Sequence, residues 1–421
     1  MAQQPRNWKL PFFTVWAGQA CSLLGSQLVS FALIWWLTVR TGSATALATA
    51  TLVSLLPGIL LGPFAGALVD RWSRRRVMMA ADSLIALVTL GLVVISALGR
   101  LQPWHIYAVM LLRSAGGAFH WPAMQASTSL MVPSGQLSRV AGMNQTLQGA
   151  MSIVAPPLGA LLLSLLPLHG ILLIDVGTAL PAIVPLCFIA IPQPAHGAEG
   201  PAARSLGREL AAGLRYVWGW PGLCLLAVMG ALVIMVCQPA FSLLPLLVTR
   251  HFGGGAQHLG WLYSTYGGGY VAGGLALSAW GGFRRRMVTS RLGLAAAGAA
   301  TLLLALTPAD AFPLALAATA LMGLAMPFAN GPLTAALQAA IAPELQGRVF
   351  TLLSSATSAA APLGLAVAGP VADILGVTGW LLIAGLTLLI LGAGGLLVPG
   401  ITHLEDGRPG QREAVVGMEP F

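Results

Sequence analysis

Arg113 is the only one of 21 Lys+Arg residues that falls deep inside a long apolar run. It stands about nine residues into the run 104–130. A guanidinium at mid-bilayer costs roughly 2.5–3.5 kcal/mol on insertion scales, so a group placed there must face a cavity or a partner. Two readings stay open: it serves a passing solute or ion, or it clamps helix-end carbonyls. His120 lies seven residues on and shares the helical face of Arg113. Imidazole titrates near pH 6.5, which suits it to carry a proton; the alternative is a satisfied core residue. Gly117, one turn beyond Arg113, leaves room for a neighbour. Carboxylates are scarce. Asp82, Asp175 and Asp373 are the acids inside apolar runs, and each reads as lying near a run end, which leaves none at mid-depth.

Other polar side chains recur at helical spacing. Gln19, Ser22 and Ser26 share one face, and Asn144, Gln148 and Ser152 share another. Gln238 is followed by Ser242. Tyr263, Tyr266 and Tyr270 form a stripe that holds three of only five tyrosines. Hydroxyl-tipped aromatic faces suit an amphipathic or cationic organic ligand, or else anchor at the interface. With Gly117 and Asn330, these residues are the candidates for a substrate cavity. No metal-ligand spacing and no nucleophile–base pair stands out, so neither an enzyme, a metal site nor a cofactor is expected.

These residues need long apolar elements to hold them. The chain is 57% hydrophobic and 8% charged, against about 25% charged in soluble domains. It must therefore lie in a membrane. Runs of about 20 residues, enough to span, occur at 12–38, 45–69, 77–98, 104–130, 141–166 and 171–191. A second six occur at 222–247, 258–280, 288–307, 312–336, 347–372 and 378–398. Arg6 and Lys9 before the first run imitate a signal peptide, but the run is too long and reads as an uncleaved span. The expected organisation is a six-helix bundle over 1–191, a cytoplasmic linker over 192–221, a second bundle over 222–399, and a cytoplasmic tail over 400–421. With the N-terminus inside, 17 of the 21 basic residues, Arg291 among them, fall in cytoplasmic segments. Arg40, Arg100 and Arg250 fall outside. That asymmetry supports this orientation and the even span count by the positive-inside rule. Net charge is +9, yet the basic residues sit in separate loops, so nucleic acid is excluded as a partner. The four cysteines show no CxxC spacing and read as small core residues. Lys9 is the only lysine, so no phosphate-binding Gly-Lys-Ser/Thr loop exists.

A shift of 210 residues sets Arg74-Arg75-Arg76 on Arg284-Arg285-Arg286, Pro122 on Pro332 and Pro133 on Pro343. One offset for three features implies a duplicated six-span unit. Between the second and third runs lies Gly66-x-Leu68-x-Asp70-Arg71-x-x-Arg74-Arg75, with Gly62 one turn before Gly66. This string resembles the loop between the second and third helices of the major facilitator superfamily, with Ser73 where that loop usually has Gly. Trp280 stands where a second-half acid would fall.

The resemblance implies an all-α membrane protein of the major facilitator fold, with twelve transmembrane helices in two pseudo-symmetric six-helix halves. It also implies that Gly66, Asp70, Arg71, Arg74 and Arg75 form a conformational latch. Val109-x-x-x-Arg113-x-x-Gly116-Gly117 is similar to the family's fourth-helix motif, whose Arg is associated with proton coupling; Arg113, His120 and Asp175 become the coupling candidates. Ala155-Pro156-x-x-Gly159-Ala160 is similar to the antiporter motif, with Ala at two Gly positions. Pro327-x-x-Asn330-x-Pro332 and Pro343-Glu344-x-x-Gly347-Arg348 resemble the macrolide and siderophore efflux branch. The expectation is a monomeric transporter in the cytoplasmic membrane, exporting an amphipathic drug, macrolide or siderophore against protons by alternating access. A lipid or lysolipid flippase, an importer, and a non-transporting receptor or sensor are the alternatives.

Overall fold

The computed structural model describes residues 8–191, 215 and 217–406. The expected linker falls almost wholly outside these residues, as does the tail beyond 406. The described chain is helical, in the order α1 (Lys9–Thr41), α2 (Ala44–Arg71), α3 (Arg74–Ala97), α4 (Pro103–Met131), α5 (Leu137–Leu165) and α6 (Leu168–Phe188). Then come α7 (Pro221–Ser242), α8 (Ala256–Trp280), α9 (Arg286–Leu306), α10 (Phe312–Ala340), α11 (Pro343–Ser358) and α12 (Ala360–Leu396).

Local chemistry sets the breaks. Gly42 ends α1 at φ 60°, donating its N–H to Thr38 O, and Ser43 Oγ caps α2 by accepting from Ala46 N at 3.3 Å. At the start of α4, His105 Nδ1 accepts from Gln102 N at 3.0 Å beside Pro103. Gly376, at φ 79°, breaks α12 into two runs, so the span expected from 347 continues from α11 to Leu375 and the last begins at Val377. Helices α1–α10 and these two runs make twelve membrane-length segments among the described residues. Two of them, α4 and α8, are less apolar than the others: α4 carries Arg113 and two histidines, and α8 six glycines and three tyrosines.

The described residues form two compact units, one within 1–196 and 248–264, the other within 197–247 and 265–421. In the first, α1 packs on α5 and α6, and α4 on α2 and α3, while α3 also meets α6. The second repeats this pattern: α7 packs on α11 and α12, α9 on α10 and α12, and α8 on α10 through Gly269, Gly273 and Gly323. Large apolar side chains such as Leu87, Leu165 and Ile374 are exposed, as lipid-facing surfaces require. Small residues make the helix contacts. A Cβ at Gly18 would lie 2.0 Å from Pro181 O, and one at Gly25 would lie 2.1 Å from Thr178 Oγ1. Both glycines let α1 press against α6.

The structure corrects several expectations. Arg291 is a residue of α9 and only 3% exposed, not part of a wetted loop. Asp82 and Asp175 lie about two turns inside α3 and α6 and are 5% and 3% exposed; α3 begins three residues before the apolar run does. Cys21 and Cys187 are exposed. Close approach in α4 occurs at Gly116, beside Ile85, whereas a Cβ at Gly117, Gly62 or Gly66 would meet nothing within 4 Å among the described residues.

Candidate functional site

Three helices of the first unit each carry two polar residues seven apart: Gln19 and Ser26 on α1, Asp82 and Thr89 on α3, Arg113 and His120 on α4. Seven residues advance a helix by about 10.5 Å, so the six residues form two layers. α4 descends while α1 and α3 ascend, which sets His120 beside Asp82 and Arg113 beside Thr89.

In the first layer, Gln19 Nε2 donates to Asp82 Oδ2 at 2.9 Å. His120 Nε2 lies 3.3 Å from Asp82 Oδ1, near enough for an ion pair but out of line for a hydrogen bond. In the second layer, Arg113 Nη1 donates to Asp175 Oδ2 at 2.5 Å and to Thr89 Oγ1. The Thr89 hydroxyl stands 3.2 Å from the same Asp175 oxygen. Ser26 Oγ donates to Asp175 Oδ1 at 3.2 Å. An unpaired buried carboxylate or guanidinium would cost several kcal/mol; the second layer offsets that cost with an opposite charge, and both layers with hydrogen bonds.

A cavity of about 170 Å³ opens beside the first layer. Its wall includes Gln19, Ser22, Ser26, Gly117, Asn144 and Gln148, together with Asp82 and His120. Trp16, also in the wall, donates from Nε1 to Asn144 Oδ1 at 2.7 Å. Ser152 is not in this wall; it is exposed and donates to Gly149 O. Nor do the tyrosines join it. Tyr263 meets the edge of Phe31, Tyr266 packs on Phe241, and Tyr270 is 45% exposed. Gln238 is half-buried on α7, and Asn330 borders a separate cavity in the second unit.

Asp82, Thr89 and Trp16 belong to this candidate site, and spacing did not single them out. Asp82 carried a usable signal, since an acid inside an apolar span is a functional hypothesis by default. In α5, Gly159 accommodates Phe31, and a Cβ at Gly260 would lie 3.0 Å from Pro157 Cα and 3.2 Å from Ala160 Cβ. The stretch from Ala155 to Ala160 thus packs closely on both sides.

At the α2–α3 turn, Arg71 is exposed in the last turn of α2, and Arg74 opens α3 while only 8% exposed. Arg75 donates to Leu186 O and, at 2.5 Å, to Cys187 O, capping the end of α6. The Asp70 side chain lies outside the described residues. In the second unit, the acid missing at Trp280 is replaced from far along the chain: Glu405 Oε2 accepts from Arg286 N at 3.2 Å, and Arg285 Nη1 lies 2.9 Å from His403 Nε2.

Residues 8–405 match the family of transmembrane secretion effectors within the major facilitator superfamily. The chain is 37% identical over 388 residues to macrolide efflux protein A of Streptococcus pyogenes, covering 91% of this chain and 94% of that protein. It is 26% identical to multidrug efflux pump Tap of Mycolicibacterium fortuitum, covering 90% and 94% of the two chains. The fold also matches a bacterial homolog of the human lysosomal transporter Spinster, solved inward-facing and unoccupied, with a TM-score of 0.70 at 13% identity over 96% of this chain and 99% of that one. The chain is accordingly a multi-pass membrane transporter of the major facilitator superfamily and belongs to its transmembrane secretion effector family.

Proposed function

We propose that the protein exports an amphipathic, cationic organic compound of the macrolide type across the cytoplasmic membrane, with both termini inside, in exchange for protons. The efflux relatives support the cargo class and direction. The observation that carries the exchange is the buried carboxylate Asp82, shared between Gln19 and His120 in a cavity wall. A cationic amine and a proton on His120 or Asp82 compete for one negative charge. Binding of either weakens the other, which is the reciprocity an antiporter needs. A volume of about 170 Å³ admits an amine-bearing arm of the compound, since whole drug-sized ligands occupy about 300–1,000 Å³. Arg113 and Asp175 hold α4, α3 and α6 together beside it, with Ser26 touching both the pair and the cavity.

Reconstitution tests the reading. Proteoliposomes with an imposed pH gradient should drive macrolide movement, and Asp82→Asn should bind the drug without gradient-driven flux. Flux that ignores the pH gradient removes the exchange; absence of macrolide movement under any gradient removes the cargo.

A further inference from the structure

A second cavity, of about 160 Å³, lies within the second unit, and Arg291 stands in its wall. The side chain is 3% exposed. Its contacts are feeble for a guanidinium. Nη1 points at Met229 Sδ from 3.9 Å, Nη2 reaches Ser290 Oγ at 3.4 Å, and Nε has no hydrogen-bond partner. Among the described residues no carboxylate lies within salt-bridge distance of it, and none lines the cavity. Ser290 donates its own proton to Ala329 O at 2.7 Å, so towards Arg291 it acts as an acceptor. By contrast, Arg113 in the first unit faces Asp175 at 2.5 Å.

A cation buried in this way carries a desolvation cost of several kcal/mol that a thioether and one hydroxyl do not offset. Three further features describe its surroundings. A Cβ at Gly395 would lie 2.7 Å from Arg291 Cδ, so the glycine makes room for the stem against α12. Asn330, whose amide carries N–H donors, and Thr357, whose hydroxyl already donates to Leu353 O at 2.9 Å, border the same cavity. The volume equals roughly five water molecules, far below the size of a drug.

We propose that this cavity is a binding site for a small monovalent anion, either a halide or the carboxylate group of a small organic acid, which serves as the counter-charge of Arg291. Fixed guanidinium donors and a low-dielectric wall favour a compact singly charged anion, and the narrow space excludes large ones. The site is separate from the drug cavity of the first unit and does not depend on the cargo assigned there.

The test uses the purified full-length protein in detergent, with sodium gluconate holding ionic strength constant. Thermal unfolding is followed by tryptophan fluorescence as chloride or formate replaces gluconate. Wild type should show a saturable rise of roughly 3 °C or more, and Arg291→Met should show none. A response to chloride alone identifies a halide site, to formate alone a carboxylate site, and to both a general small-anion site. If neither ion shifts the wild type, or if Arg291→Met responds as the wild type does, the proposal is overturned. Asn330→Ala provides a second variant should Arg291→Met not fold. It should raise the half-saturating anion concentration at least about fivefold, and an unchanged midpoint there would refute the site as drawn.

Discussion

Ser26 donates to Asp175 at 3.2 Å while standing in the wall of the α1–α3–α4–α5 cavity, so one residue borders both the buried ion pair and that open space. A solute that draws Ser26 away loosens one oxygen of Asp175 and leaves the other on Arg113. Ser26→Ala should therefore weaken the response of transport to bound drug more than it weakens folding. Drug efflux should fall about tenfold or less, with a loss near 1 kcal/mol in unfolding for one hydrogen bond. Parallel efflux and melting measurements on the variant check this.

Arg113 and Asp175 give a sharper prediction. Removing one member of a buried pair costs about 3–5 kcal/mol because the other charge is stranded. Asp175→Asn and Arg113→Ala should each unfold far more readily in detergent. A double neutral variant, Arg113→Met with Asp175→Leu, should regain most of that stability while transport stays lost. Recovered transport in the double variant would reduce the pair to a packing device.

His120 and Asp82 should set the pH response. A proton on His120 strengthens its attraction to Asp82, so a cationic drug must compete harder. Drug affinity should fall as pH drops from 8 to 5.5 in the wild type. In His120→Gln that slope should flatten, and equal slopes in the two proteins would exclude His120 from the pH response.

Gly18 tests the α1–α6 seam. A methyl group there would stand 2.0 Å from Pro181 O, a distance that real atoms cannot adopt. Gly18→Ala should force the helices apart and cost about 1–3 kcal/mol. Gly66→Ala, where nothing among the described residues lies within 4 Å, should fold normally. Slowed transport there would mark a conformation in which that surface closes.

Asp70→Asn addresses the proposed latch by function. Turnover should slow while drug affinity holds, and equal turnover in the variant would leave the arginines as topology signals only.

Much of the architecture is legible in the chain, because a span announces itself through twenty apolar residues, and the 210-residue offset places α4 on α10 before any coordinates are known. The site is less legible. Gln19, Ser26, Arg113 and His120 are visible as residues seven apart on two helices. Asp82 hides because hydropathy starts its run at Val77, whereas α3 starts at Arg74; the arginine stems extend the helix beyond its apolar part. Thr89 hides because a lone threonine in a helix usually bonds its own backbone, as Thr89 also does to Ile85 O. The partner of Asp175 hides because ion pairs between helices follow tertiary packing, which spacing along one helix does not encode. Arg291 is misplaced for the opposite reason: its proximity to Arg284–Arg286 makes a buried residue look like the edge of a basic loop.

The seven-residue spacing of Gln19–Ser26, Asp82–Thr89 and Arg113–His120 has a consequence for how such a chain can change over generations. Seven residues bring a helix back to within about 20° of the same direction, but one inserted or deleted residue rotates everything beyond it by about 100°. A single-codon indel between any of these pairs would swing one layer out of register with the other. Between the paired residues these three helices tolerate substitution but not a change of length.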